Sequence, residues 1–552
     1  MRFFTKLLEH GMMIMKNFSA ILAVASAALS CRLLSPENST PKDLTSDQGA
    51  GAVVVYSEGE SVFAAICPLS LDGAAPKNRY TCQDNKTSVP RAKFVKALKY
   101  RFPQSEDFEN IWLRIASNEQ GFVVSSEKLS GVLLAFEASS MGSIVQITTS
   151  ETHTCALLSN KKVKCWGLNS SGALGYPGNA IIGDNETPSS IGFVDVGEDV
   201  EKVIAGDDHT CALLSSKKVK CWGSNAYGSL GTGNTDEIHV PKYGNFVSLT
   251  RPAADIAGGS WHSCAARSYD GTSRMQIICW GRNKGRLGYG FSQDVGRNPR
   301  ANAGDQQTPF EGEIREMAAG GQNTCVLTAD KKLKCWGLSP QNALGLNKTI
   351  GDDEAPSTIG FVNMGGDVEH ISSGPSHACA IMSNSKVKCW GYGGYGQLGY
   401  GNSNSIGDDE TPASIGYVDV GADVEQISAG GQFHTCAVLS NKKLKCWGVN
   451  IDGQLGYGNR NMIGYSNTPA SVGFVDVGDD DVERVATGGS HTCVLLSSHN
   501  MKCWGKGQYG VLGYGNEADI GADNTPASVE TIPVYSVYLD WLRNPAVSHL
   551  GN

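Results

Sequence analysis

A phrase of fifteen residues, HTCALLSNKKVKCWG at 153–167, returns in altered form near residues 209, 262, 323, 377, 434 and 491, and every copy closes on Cys-Trp-Gly. A chain that repeats one short unit must bury each copy against the next, so the unit and its stacking decide the fold. The first cysteines, Cys155, Cys211, Cys264, Cys325, Cys379, Cys436 and Cys493, lie 53 to 61 residues apart, which is room for one small antiparallel sheet per copy. In the sixth copy Asp423 to Ser428 alternates toward a strand, Gly430-Gly431 turns it, His434 to Leu439 returns and Leu444 to Trp447 makes a third. A fourth strand is expected at Val472 to Val477. Four short strands per copy and seven copies describe an all-β, seven-bladed β-propeller; periodicity alone also fits a solenoid.

Cysteine spacing points to an oxidising compartment. Six copies separate their two cysteines by ten residues, and the third separates Cys264 from Cys279 by fifteen. Around a tip such as Ser159-Asn160-Lys161, Cys155 falls opposite Cys165, where cross-strand Cβ atoms approach bridging distance. The same pairing predicts bridges of Cys211 with Cys221, Cys264 with Cys279, Cys325 with Cys335, Cys379 with Cys389, Cys436 with Cys446 and Cys493 with Cys503. An eighth is expected between Cys67 and Cys82. Zinc is the competing reading, but its ligand pairs sit about two to four residues apart and no CxxC occurs. Disulfides place the chain outside a reducing cytoplasm.

With Gly-Gly, His-Thr, a hydrophobic hairpin, Trp-Gly and then GQLGYG at 453–458, the repeat resembles the regulator-of-chromosome-condensation repeat family across residues 143–535. That resemblance implies a seven-bladed propeller and selects a ring over a solenoid. The inserts IGDDEAPSTIGFVNMG at 350–365 and IGDDETPASIGYVDVG at 406–421 look like the extended repeats of exported bacterial proteins. The family's founder is a nuclear exchange factor for a small GTPase, a role that a disulfide-rich exported chain is not expected to share.

Outside the repeats the chain divides into four zones. Residues 1–30 read as a signal peptide: Lys16 precedes an uncharged stretch, Phe18 to Leu29, too short to span a bilayer. Its end, Ala28-Leu29-Ser30-Cys31, resembles the lipobox of bacterial lipoproteins, with Ala28 where that pattern prefers Leu, and Ala25-Ser26-Ala27 offers an ordinary cleavage site instead. Cys31, left over by the pairing, is the expected lipidation site. Residues 31–50 form a Ser/Thr/Pro-rich tether, 51–142 a small β-rich module, and 536–552 a C-terminal tail. The expected location is the bacterial cell envelope, anchored by lipid at the outer membrane or cell surface, or else secreted.

No nucleophile elbow, phosphate loop or HExxH motif occurs, so the chain reads as a non-enzyme without cofactor or metal. His153, His209, His262, His377, His434 and His491 recur once per copy, as do the Cys-Trp-Gly tryptophans, which marks both sets as parts of the fold. The acidic turns Asp352-Asp353-Glu354 and Asp408-Asp409-Glu410 lack the spacing of a calcium loop and read as solvated turns. Lysines at hairpin tips read as ordinary surface charge.

Function is expected where the repeat breaks down. Between residues 251 and 315 stand nine cationic side chains against six acidic ones, in a chain of net charge −9. Arg251, Trp261, Arg267, Tyr269, Arg274, Arg282, Arg286, Arg297 and Arg300 are the expected partner-binding residues, because arginine with aromatics makes interface hot spots. The chain is expected to be an extracytoplasmic scaffold recognising a protein or an anionic surface glycan, not nucleic acid. A polymer-degrading hydrolase or lyase is the alternative.

Overall fold

The computed structural model describes residues 53–58, 61–66, 87–90, 122–123, 143–268, 274–298, 310–338, 344–345 and 349–534. Two compact units divide the chain, Met1–Gly142 with Val537–Asn552, and Ser143–Ser536. Cys31, the expected bridge of Cys67 with Cys82, Tyr269, Arg300 and the C-terminal tail lie outside the described residues. In the first unit Val53–Glu58 pairs on one side with Ser61–Ile66, which also takes Thr87–Pro90, and on the other with Phe122–Val123, all antiparallel.

The second unit is all-β. Each copy of the repeated phrase becomes three antiparallel strands, as in Ile144–Thr149, His153–Leu158 and Val163–Gly167 of the first copy. Middle and third strands are buried along their whole length in that copy, because the neighbouring sheets cover both faces. The first strand is pinched by a register shift between Ile144 and Gln146, and all seven copies repeat it. In the third copy the lengthened tip lets Arg274–Gly281 pair with Glu311–Ala319 of the fourth, joining two sheets into one of six strands.

Seven hairpins carry their own disulfides, each between residues directly opposed in the ladder. The bridges are Cys155 with Cys165, Cys211 with Cys221, Cys264 with Cys279 and Cys325 with Cys335. Those of the last three copies are Cys379 with Cys389, Cys436 with Cys446 and Cys493 with Cys503. Their Cα atoms stand 4.0 to 4.1 Å apart in every case, so the pairing expected from spacing is the pairing found within the repeats.

The expected fourth strand is not a strand. Val475 N–H donates to Leu444 O at 2.9 Å, and no ladder extends from that bond. The reason is a buried lysine. Lys445 Nζ donates to the carbonyls of Pro469, at 2.9 Å, and Val472, so these oxygens are satisfied by an ammonium and not by a neighbouring strand. Lys164 does the same for Pro188 and Ile191, both at 2.7 Å.

Side chains tie each copy to the next. His153 Nε2 lies 2.8 Å from Thr210 Oγ1 in the following copy, and His209, His262, His377, His434 and His491 reach Ser263, Thr324, Thr435, Thr492 and Thr154 at 2.7 to 3.1 Å. Thr210 donates its own proton to Ala173 O, so the imidazole is the donor and carries its proton on Nε2. Trp222 Nε1 donates to the same carbonyl. The last of these links joins the seventh copy to the first: His491 meets Thr154, and Thr154 Oγ1 and Trp166 Nε1 both donate to Val511 O. The ring therefore closes through these side chains and through the Gly489 N–H, which donates to Ser150 O at 3.0 Å. Val529 to Tyr535 reads in the sequence as a strand completing the first copy, but Ile532 N–H donates to Met501 O of its own copy, as Val475 does to Leu444.

Glycine leaves room for close backbone approach where the turns before the histidines meet around the ring, and the first copy has Ser150 at that position. A Cβ on Gly374 would stand 1.9 Å from Ala429 O, and one on Gly259 2.1 Å from Gly320 O.

Candidate interaction surface

The middle strand runs from its histidine to the hairpin tip and the third strand runs back, so the sheets present two different ends. At the tip end the lysines are engaged. Lys162, Lys332, Lys386 and Lys443 pair with Asp199, Asp367, Asp423 and Asp481 at 2.7 to 3.3 Å, each reaching into the following copy. Lys217, Lys331 and Lys442 meet Glu201, Glu369 and Glu425, Lys161 donates to Ser215 Oγ, and Lys218 lies 4.5 Å from the Phe246 ring. Exposed pairs of this kind contribute little to stability, but they leave the rim balanced in charge.

The opposite end is assembled differently. The residue after Trp-Gly hydrogen-bonds the carbonyl of the residue before histidine, as Leu168 does with Thr152, Arg282 with Trp261, Tyr392 with Ser376 and Val449 with Phe433. Each copy thereby sets two variable side chains beside one another on an invariant frame. The residue before histidine is in turn threonine, aspartate, tryptophan, glutamine (before Asn323), serine, phenylalanine and serine.

Three sectors of this loop face differ in chemistry. Glu151, Asp207 and Asp208 gather where the first two copies meet; burial pushes Asp207 up to about 7 despite a hydrogen bond from Ser260, and Glu151 and Asp208 add to the rise. Tyr392, Tyr395 and Phe433 form an aromatic cluster with ring centres 4.9 to 6.2 Å apart, and Tyr395 is 40% exposed. Between them lies a cationic and aromatic sector, in which the Arg282 guanidinium stands 4.7 Å from the Tyr227 ring and 5.0 Å from that of Trp261.

The arginine-rich stretch is only partly a surface. Arg267 and Arg286 are each 2% exposed and belong to the interior. Arg267 donates to Thr250 Oγ1 and Gln276 Oε1, and Arg286 to Asn283 O and Gln322 Oε1. Both are corrections to the expectation from sequence: a one-residue shift in strand register or loop length decides whether arginine meets solvent. Arg251 is exposed, and so is Arg297, which pairs with Asp294 at 3.3 Å. Arg274 opens a strand whose register sets it opposite Glu313. Trp261 and Arg282 are half-buried and come together. Tyr227 is a member of this sector that sequence reasoning does not single out, although tyrosine before the glycine of the loop recurs at Tyr395 and Tyr509.

Each of the two acidic turns, Asp352 to Glu354 and Asp408 to Glu410, holds its own carboxylates within 4.8 Å of one another. Glu410 is pushed up to about 7, first by burial and then by Asp409 and Asp408, and Asp353 is raised by its hydrogen bond to Glu354 and that neighbour's charge.

A ring of disulfide-stapled sheets with a constant frame and a variable loop face defines a repeat propeller. Regulator of chromosome condensation (RCC1) repeats are recognised at residues 144–173, 200–229, 314–342, 368–397, 424–454 and 482–511, and in a second form at 162–213, 218–266, 386–438 and 446–495. The chain belongs to the regulator of chromosome condensation repeat family. It is 32% identical over 395 residues to the ultraviolet-B receptor UVR8 of Arabidopsis thaliana, covering 71% of this chain and 82% of that one. Among solved structures it is similar to human WBSCR16, with a TM-score of 0.51 and 19% identity over 65% of this chain and 92% of that one. The yeast RCC1 (Prp20) structure, solved with Kap60 bound, also gives a TM-score of 0.51, at 17% identity over 69% of this chain and 84% of the other. At these identities the two structures show the fold.

Proposed function

We propose that this protein is a non-catalytic binding scaffold that presents the loop end of its ring to a protein partner outside the cytoplasm. The observation that carries the reading is the asymmetry of the two ends: lysines at the tips are paired within the ring, whereas the loop face holds unlike sectors of acid, arginine and aromatic side chains on one backbone frame. Aromatic and arginine anchors are what protein interfaces concentrate. Yeast RCC1 holding Kap60 is in keeping with a protein partner. Seven bridged hairpins support an oxidising compartment, and Cys31 behind a short apolar signal supports lipid anchoring there.

Two experiments test the proposal. Binding to a captured partner is compared for the intact protein, for Tyr395→Ala with Phe433→Ala on the loop face, and for Lys162→Ala with Lys386→Ala at the tips. The loop pair is expected to abolish binding and the tip pair to preserve it; loss through the tip pair alone, or turnover of an envelope polymer, would overturn the reading. For anchoring, Cys31→Ala is expected to move the protein from the detergent phase to the aqueous phase, and equal partitioning of both forms would mean simple secretion.

A further inference from the structure

Within the loop face one cation is held in place without an acidic partner. Arg282 is sandwiched between Tyr227, from the second copy, and Trp261, from the third. Among the described residues its guanidinium N–H donors meet no acceptor, and the Trp261 indole N–H and the Tyr227 hydroxyl are likewise unengaged. Behind Trp261 a second guanidinium, that of Arg286, lies 5.7 Å from the ring. Among the described residues it donates to neutral oxygens, Asn283 O at 2.9 Å and Gln322 Oε1 at 3.3 Å, and its Nε meets no acceptor. Asp294, the acid of this loop, is occupied by Arg297 at 3.3 Å and by the Asn283 N–H at 3.0 Å. Two positive charges therefore converge on Trp261; among the described residues no carboxylate forms an ion pair with either, and Asp294 acts on Arg286 only through its charge.

We propose that Arg282, clamped between Tyr227 and Trp261, is the point at which the loop face takes the carboxylate of an aspartate or glutamate in an acidic peptide segment of its partner. The proposal rests on the loop-face reading above. Contact with two rings restrains the guanidinium before binding, so less side-chain freedom remains to be lost when its fork takes a carboxylate. The apolar ring edges suit the side chain that carries the carboxylate. A polyphosphate or nucleic acid fits less well, because the chain carries net charge −9.

The test titrates a labelled octapeptide of glutamate and aspartate into the disulfide-intact protein and follows anisotropy. Saturable, salt-sensitive binding is expected, weakened at least tenfold by Arg282→Ala and by Arg282→Lys, which keeps charge and loses the planar fork, and unchanged by Lys386→Ala. Near-ultraviolet circular dichroism confirms that each variant is folded. Equal binding by the Arg282 variants overturns the proposal, as does displacement of the peptide by inorganic phosphate at lower concentration than by glutarate. So does a concentration-dependent dimer that Arg282→Ala dissolves, since a second copy would then fill the site. If Arg282 variants retain the captured partner while the double variant at Tyr395 and Phe433 loses it, the carboxylate point fails and the loop-face reading stands; if neither matters, the loop-face reading fails.

Discussion

Lys445 is a charge that the fold takes inside. Unlike the lysines of the hairpin tip beside it, it is 4% exposed, caps two loop carbonyls and lies 5.1 Å from the Phe474 ring. Burial depresses such lysines, Lys445 against a partial offset from Asp419, and Lys164 falls to about 8, still charged at neutral pH. Lys445→Met should strand buried carbonyls and cost about 2 kcal/mol in denaturant unfolding, whereas Lys386→Ala should leave the midpoint in place. The histidines predict a pH response. Burial holds His153, His262, His377 and His434 at about 3 and His209 and His491 at about 4, far below their ordinary 6.5. Between those values the unfolded chain binds the extra protons, so stability is constant above 6.5 and falls as pH drops below it, by up to about 1.4 kcal/mol per imidazole per unit. The thermal midpoint should be flat from pH 8 to 7 and fall steeply from 6.5 to 4. His434→Asn should make that slope shallower, and a midpoint indifferent to pH down to 4.5 would contradict the burial of these histidines in the neutral form.

The hairpin is the element most legible in the sequence, because its evidence is local: ten residues between cysteines, a polar tip and alternating apolar residues admit few other structures. The fully buried bridges are expected to resist reduction until the ring unfolds. Mass spectrometry of the nonreduced digest should show each copy's own bridged hairpin peptide, and bridges between copies would contradict the register. Replacing Cys155 and Cys165 together with alanine should cost about 2 to 3 kcal/mol in the chain-entropy account. The fourth segment misleads in sequence for a definite reason. Val472 to Val477 has strand composition, but a strand also needs a partner along its length, and the lysine of the preceding strand already satisfies the carbonyls of the approach.

Across the ring, one joint lacks the link that the others carry. Asn323 stands where histidine is expected and accepts from Ser373 Oγ at 2.6 Å, while Ala378, opposite it in the next copy, has no hydroxyl to offer. Asn323→His with Ala378→Thr should raise stability by about 1 kcal/mol more than the two single changes summed, measured as a double-mutant cycle; additivity would show that the joint is already satisfied. His491→Ala should lower the midpoint of the whole ring, because it cuts the seam between last copy and first. Repeat number, hairpin register, disulfide pairing within the repeats and the structural standing of histidine and tryptophan were determined by the sequence, since hairpin and bridge are local and the rest follows from recurrence at one position in successive copies. Which arginines are buried, how the ends join, and that Tyr227 meets Trp261 and Arg282 were decided by tertiary structure alone. The seam joins residues 337 and 357 positions apart, and the Arg282 cluster draws on two copies, so only the stacking of one sheet on the next brings them within reach.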